Sequence, residues 1–274
     1  MKNKDEDLLF AGRIRDLARQ AQMNDYLTHT GFLSLSEQSR AAMEVPGLGM
    51  PGAGRESGRE GLRAVFYGGS GEADRKVLFF LPSYMDEKEF FRQEEEGNGV
   101  TACLEIRVRG ARFSREIGHR DCLGALMHLG IERDQVGDIL IDKDGALAYV
   151  YVLSSMAEHI CRELRTVGKS SVELRAVPPS DCGVKPELKT QTGSIASVRI
   201  DSLVAMAFHL SRSAAQELVS REQVFADGRT VTSSSFVPGE GCRISVRGHG
   251  KFIYEGEEKT TRKGRIFVRI SVFC

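Results

Sequence analysis

Residues 199–231 read RIDSLVAMAFHLSRSAAQELVSREQVFADGRTV, and the spacing of their apolar positions decides the architecture of the last third of the chain. Leu203, Val204, Ala207, Phe208 and Leu210 recur at intervals near three and four, as do Ala214, Ala215, Leu218 and Val219. Two short amphipathic helices therefore abut. Asp201 is placed to cap the first and Ser211 or Ser213 the second, because a short oxygen-bearing side chain there can accept from an unsatisfied helix N–H. The pattern then turns to strand. Val224-Phe225-Ala226, the turn Asp227-Gly228 and Thr230-Val231 predict a hairpin, with Arg243-Ile244-Ser245-Val246 as a further strand behind Pro238-Gly239. Ile266, Val268 and Ile270 alternate with Phe267, Arg269 and Ser271, so residues 265–273 are expected to pair with Lys251 to Tyr254.

Working upstream, residues 180–194 read as a polar linker behind Pro178-Pro179, and residues 76–179 as a middle domain in which strands and helices interleave. Its expected strands are Val77 to Leu81, Thr101 to Arg109, Ile139 to Ile141, Leu147 to Val152 and Val172 to Val177. Its expected helices are Asp86 to Glu96, Arg120 to Leu129 and Ser155 to Thr166. That alternation suggests an RRM-like or ferredoxin-like sheet with helices on it. Residues 1–75 open on a helical pattern (Leu8, Leu9, Ile14, Leu17, Ala18, Ala21) and become loop-rich and glycine-rich from Pro46 to Gly71. The class is α+β: an N-terminal helical region, the middle domain, and a C-terminal domain of residues 195–274.

Among 274 residues, 41% are hydrophobic, enough for a real core in more than one domain. Met1 to Phe10 is charged where a secretory signal needs an apolar stretch, and no apolar run approaches the ~18 residues of a membrane span, so a cytoplasmic protein is expected. Six cysteines with no Cys-x-x-Cys pair read as reduced thiols rather than a zinc ribbon or disulfide scaffold. Charge is balanced at 38 basic and 38 acidic residues, yet residues 195–274 hold 12 basic against 8 acidic. Any nucleic-acid reading must rest on that local segregation.

Arg199-Ile200-Asp201, Leu210-Ser211-Arg212-Ser213-Ala214-Ala215, Asp227-Gly228, Pro238-Gly239 and Ile244-Ser245-Val246 resemble, in order and spacing, the S4 RNA-binding domain. Asp227 stands where Asn is frequent, and Glu240-Gly241 where the pattern usually reads Gly-Asp; both are turn-compatible. The resemblance extends to the YlmH family through Thr30-Gly31-Phe32-Leu33, Gly118 to Leu126, Leu129 to Arg133, Gly137-Asp138-Ile139 and Val246 to Phe252. It implies a non-catalytic protein that binds large-subunit rRNA and tRNA on the ribosome, in quality control of obstructed large subunits. Neither a cofactor nor a small-molecule substrate is implied.

The candidate contacts follow. Ser211 and Arg212 stand at a helix N-terminus, where free N–H groups and a guanidinium favour phosphate, and Arg199 is near enough to share it. The alternative is that Arg212 merely solvates a helix turn. As exposed residues, both arginines are expected to be replaceable with little loss of stability. Arg243 and Arg247 alternate with Ile244 and Val246 and so are expected on the polar face, with Lys251 alongside. In the middle domain Arg107, Arg109 and Arg120, with Arg112 and Arg115, form a second basic feature, which ion pairs to Glu105, Glu116 and Asp121 would equally explain. The middle sheet offers no evident pair of exposed aromatics for stacking bases.

Several enzymatic readings fail. Gly47 to Gly54 lacks the Gly-Lys-Ser/Thr ending of a phosphate loop. Asp142-x-Asp144-Gly145 has Leu153 at the twelfth position, where a calcium loop needs Glu. His119, Cys122 and His128 have no fourth metal ligand at a diagnostic spacing. An RNA-modifying enzyme with an appended S4 domain, and a protein-binding scaffold, remain as alternatives.

Overall fold

The run Lys76–Leu81 is apolar at every position after the lysine, the mark of a strand buried on both faces, and it lies at the centre of the first unit. The structure, a computed structural model, describes residues 2–45, 62–71, 73–110, 116–184, 187–260 and 265–273. It divides into two compact units: the first holds most of the described residues up to 184, and the second holds residues 187–273 together with Leu35–Ser39. In chain order the elements up to residue 177 are α1 (Lys2–Asn24), β1 (Thr28–Leu33), α2 (Leu35–Glu44), β2 (Arg63–Tyr67), β3 (Lys76–Leu81), α3 (Glu87–Glu95), β4 (Thr101–Val108), α4 (His119–His128), β5 (Val136–Ile141), β6 (Leu147–Leu153), α5 (Ser154–Glu163), β7 (Thr166–Val167) and β8 (Ser170–Val177).

Strands β4, β5, β6 and β8, with α4 and α5 between them, follow the order β–α–β–β–α–β, and their sheet runs β5-β6-β4-β8-β7 with every pairing antiparallel. Alternation sorts its residues. Leu104, Ile106, Val108, Ala148, Val150 and Val152 point to the face that Cys122 and Leu126 of α4 and Ile160 of α5 cover. Cys103, Tyr149 and Tyr151 point the other way, into a second apolar cluster with Phe32, Val65, Tyr67, Val77, Phe79, Leu81 and Phe90. The far side of β3, Leu78 and Phe80, packs with Leu33, Ala64 and Ile14 and Ala21 of α1. The expected strand at 77–81 forms, but it belongs to a three-stranded sheet, order β1-β3-β2, and not to the five-stranded one. A boundary at residue 75 therefore falls inside a sheet: the N-terminal region has the expected helical start in α1 and α2, and it also contributes strands β1 and β2 to the sheet that β3 completes. Gly47 to Gly54 lies outside the described residues.

Two of the quoted motifs meet here. A Cβ on Gly137 would sit 2.6 Å from the Phe32 ring, and one on Gly31 would sit 2.7 Å from the Asp134 carbonyl oxygen, so glycine permits β1 to lie against the short 3-10 turn Arg133–Gln135 and the start of β5. Asp138 completes the joint by accepting from the backbone N–H groups of Asp74 and Arg75, at 2.7 and 3.1 Å. The Arg75 guanidinium reaches the carbonyls of Phe32 (2.6 Å) and Val136 (3.0 Å). These residues join layers. The start of α4 is fixed in the same way, Asp121 accepting from Gly118 N–H at 2.9 Å.

The second unit holds β9 (Leu188–Ile195), α6 (Ile200–Ala207), α7 (Arg212–Ser220), β10 (Val224–Ala226), β11 (Arg229–Thr230), β12 (Arg243–Val246), β13 (Gly250–Thr260) and β14 (Ile266–Phe273). Its sheet runs β11-β10-β12-β13-β14-β9. Val224, Ala226, Ile244, Val246, Phe252, Val268 and Ile270 form its core with Leu203, Val204, Ala207, Ala215 and Val219 of the two helices. The tail pairs with β13 as alternation predicts. The linker is shorter than its composition suggests, because Leu188–Ile195 is a strand on β14. Lys189, Thr190, Gln191 and Thr192 carry no apolar alternation; an edge strand half in water does not need one.

Candidate nucleic-acid interface

Asp201 is not a cap. Arg199 occupies the N-cap position of α6, and Asp201, in the first turn, is buried with its side chain wholly out of solvent. Four groups donate to its carboxylate: Arg199 through Nε (3.2 Å) and Nη2 (3.3 Å), Arg212 through Nε (3.2 Å), Gln216 through Nε2 (2.8 Å) and the Ser202 N–H (2.9 Å). Burial pushes the carboxyl up, and the hydrogen bonds from Gln216, Arg212 and Arg199 outweigh it and hold it below its usual range. The two arginines expected to face phosphate are thus brought together by one carboxylate, leaving one net positive charge. Arg199 also reaches the Ser234 hydroxyl at 3.4 Å. Its side chain is 31% exposed and that of Arg212 52%.

This arrangement corrects the expectation that either arginine is an ordinary surface residue. Each shields a buried anion, so removing both strands a charge. Ser211 is the N-cap of α7 as expected: its hydroxyl accepts from Ala214 N–H at 3.1 Å, and Arg212 is the first helical residue. Arg212 therefore stands at the positive end of the α7 dipole. Among the described residues Arg212 commits only its Nε, leaving a fork of donors of the kind that binds an oxyanion bidentately.

Arg243 differs from expectation. Alternation does place it opposite Ile244, but it is buried, with its guanidinium 6.0 Å from the Phe273 ring centroid. On the face counted as polar its side chain is flanked by Ile253, directly across on the neighbouring strand, and by the Phe273 ring. Arg247 is exposed, 5.7 Å from the Phe225 ring, and Lys251 is half-buried, its ammonium 4.3 Å from Phe273.

In the first unit, Glu105 organises the basic feature of β4. Register sets Tyr149 and Arg175 on either side of it. Arg175 forks onto its carboxylate at 2.9 and 3.0 Å, Arg107 donates at 3.1 Å and the Tyr149 hydroxyl at 3.2 Å. The Arg175 and Arg107 hydrogen bonds hold the Glu105 carboxyl down at about 2, against the pull of burial. Arg109 lies 3.8 Å from Glu173, and Arg120 stands apart, exposed on the first turn of α4. Arg112 and Arg115 lie outside the described residues. Tyr149 and Tyr151 are aromatic on the sheet face, but both are buried beneath the N-terminal layer, so the face has no exposed ring to offer. Sequence reading missed Asp201, Gln216, Glu105 and Arg175 as organisers. Their signal was an acid within two residues of an arginine, followed by an amide one helical turn beyond Arg212.

Fold and clusters together define an α+β protein whose arginines are tethered to buried carboxylates. Residues 102–181 match the family described as "Putative RNA-binding domain in YlmH". The chain is 27% identical over 212 residues to "Ribosome-associated protein quality control protein P2" of Bacillus subtilis, covering 76% of this chain and 77% of that protein. A solved structure, "Cell division protein ylmH from Streptococcus pneumoniae", aligns with 65% of this chain and 94% of its own at 17% identity and a TM-score of 0.47. The family match and the Bacillus relative bear out the resemblance to the YlmH family.

Proposed function

We propose that this protein binds RNA on the ribosome without catalysis, gripping large-subunit rRNA and tRNA, and that it acts in quality control of obstructed large subunits. The observation that carries this reading is the pair Arg199 and Arg212, fixed by Asp201 beside the N-terminus of α7, where a phosphate meets guanidinium donors and the helix dipole together. An S4-type domain accounts for the order and spacing of residues 199–246, and an RRM-like domain for the β–α–β–β–α–β order from β4 to β8. The matched RNA-binding domain and the name of the Bacillus relative support the same assignment. Arg107, Arg109 and Arg120 supply a second contact, and the site is cytoplasmic.

Crosslinking in cells followed by sequencing of the attached RNA is expected to recover rRNA and tRNA well above messenger RNA. Recovery of mainly messenger RNA would overturn the ribosomal reading. Purified protein incubated with rRNA and S-adenosylmethionine, or with rRNA alone, should yield neither a new methyl group nor pseudouridine. Turnover to either product would make the protein an RNA-modifying enzyme.

A further inference from the structure

The outer face of the six-stranded sheet, opposite α6 and α7, carries a row of side chains that the arginine pair does not use. Val224, Ala226, Ile244, Val246 and Phe252 turn inward to the core, so Phe225, Ser245, Arg247 and Lys251 turn outward. Register sets Phe225 opposite Ser245, Ser245 opposite Lys251, and Phe273 opposite Leu188, while the Lys251 ammonium lies 4.3 Å from the Phe273 ring. The row across the strands thus reads Phe225, Ser245, Lys251, Phe273, Leu188. Its two rings are three strand spacings apart, roughly 14 Å. A cation lies over each ring, Arg247 over Phe225 at 5.7 Å from its centroid and Lys251 over Phe273.

We propose that this face is a second RNA surface, on which unpaired bases of a single-stranded segment stack on Phe225 and Phe273 while Arg247 turns to an intervening phosphate. The proposal rests on the RNA-binding reading above and adds a substrate class to it: unpaired rather than helical RNA. Charge and ring chemistry choose this occupant. An apolar partner would leave Arg247 desolvated, whereas a single strand supplies a π face for each ring and an anion for Arg247. A helical RNA keeps its bases stacked among themselves and would meet only the cations. Both rings are half-buried, so they are held by the sheet and do not need ordering on binding.

The test uses the full chain and a short oligoadenylate RNA. The sequence contains no tryptophan, so Phe225→Trp and Phe273→Trp each introduce one reporter at a stacking position. The tryptophan emission of both is expected to be quenched as oligoadenylate binds. Replacing both rings with leucine should weaken that binding by roughly tenfold per ring at unchanged salt dependence, and Arg247→Ala should reduce the salt slope by about one. Thermal unfolding of the leucine variant checks its fold, and the tryptophan variants, which keep an aromatic ring, decide the matter if leucine is not tolerated. Unquenched emission at saturating RNA, with binding to large subunits intact, overturns this surface and leaves the function proposed above standing. Binding to neither RNA nor subunits overturns both. Concentration-dependent dimers that the leucine variant abolishes would give the face to a second copy of the chain and overturn the proposal.

Discussion

Replacing Arg199 and Arg212 together with alanine is expected to lower the unfolding free energy of the second unit by about 2–3 kcal/mol, and its melting temperature by roughly 10–20 °C. The reason is the anion they leave. Asp201 is wholly out of solvent, and after the substitution it keeps only Gln216 and the Ser202 N–H as donors. Removing one side of a buried pair costs more than the pair contributes, because the remaining charge must be desolvated unpaired. Part of that cost is recovered by water reaching the vacated space. Adding Asp201→Asn to the double variant removes the charge and should restore most of the lost stability, while leaving the RNA contacts absent. Chemical denaturation of the wild type and the double and triple variants measures the first half. Affinity for large ribosomal subunits across several salt concentrations measures the second, with the slope expected to fall by about two. A double variant as stable as the wild type would show that Asp201 does not depend on the arginines. A stable triple variant with unchanged affinity and slope would show that the arginines do not contact RNA.

Acid is expected to unfold the first unit partly through Glu105. Its carboxyl ordinarily titrates at 4.5 and is held at about 2 in the folded chain, chiefly by Arg175, so the folded state prefers the ionised form. A depressed folded-state value stabilises the fold above the unfolded-state value, and that stability drains as pH falls from about 4.5 toward 2. Its full magnitude is roughly 2–3 kcal/mol, reduced from the bare shift because Arg175 and Arg107 are more than half exposed and water screens them. Glu105→Gln should be less stable than the wild type at neutral pH and lose less stability across that window. Equal losses in the two proteins would remove Glu105 from the account. The same substitution unties Arg107 and so connects the acid response to the second basic cluster.

Much of this architecture is legible in the sequence where the cause is local. The helices near 120–129 and 155–163, the strand from 101 and the tail strand announce themselves through periods of 3.6 and 2, because each shows one face to a core and the other to water. Where long-range pairing decides, the signal fails. Thr28–Leu33 and Arg63–Tyr67 are strands because they flank β3, far along the chain, and Leu188–Ile195 because β14 satisfies its backbone. The candidate site was half legible. Ser211 and Arg212 follow from capping chemistry, which involves residues three apart. That Asp201 faces Arg212 and Gln216 depends on α6 and α7 packing together, and that Arg243 is buried depends on Ile253 and Phe273 arriving from other strands.

The covered face of the five-stranded sheet constrains any attempt to dissect this chain. A shortened protein beginning near residue 100 would keep every strand of that sheet and both of its helices, yet would turn Cys103, Tyr149 and Tyr151 out to water. Those residues would form a contiguous apolar panel beside Glu105, which attracts copies of itself and causes precipitation instead of creating a base-stacking surface. Any RNA such a fragment captured through its freed tyrosines would report a surface that the whole protein keeps closed.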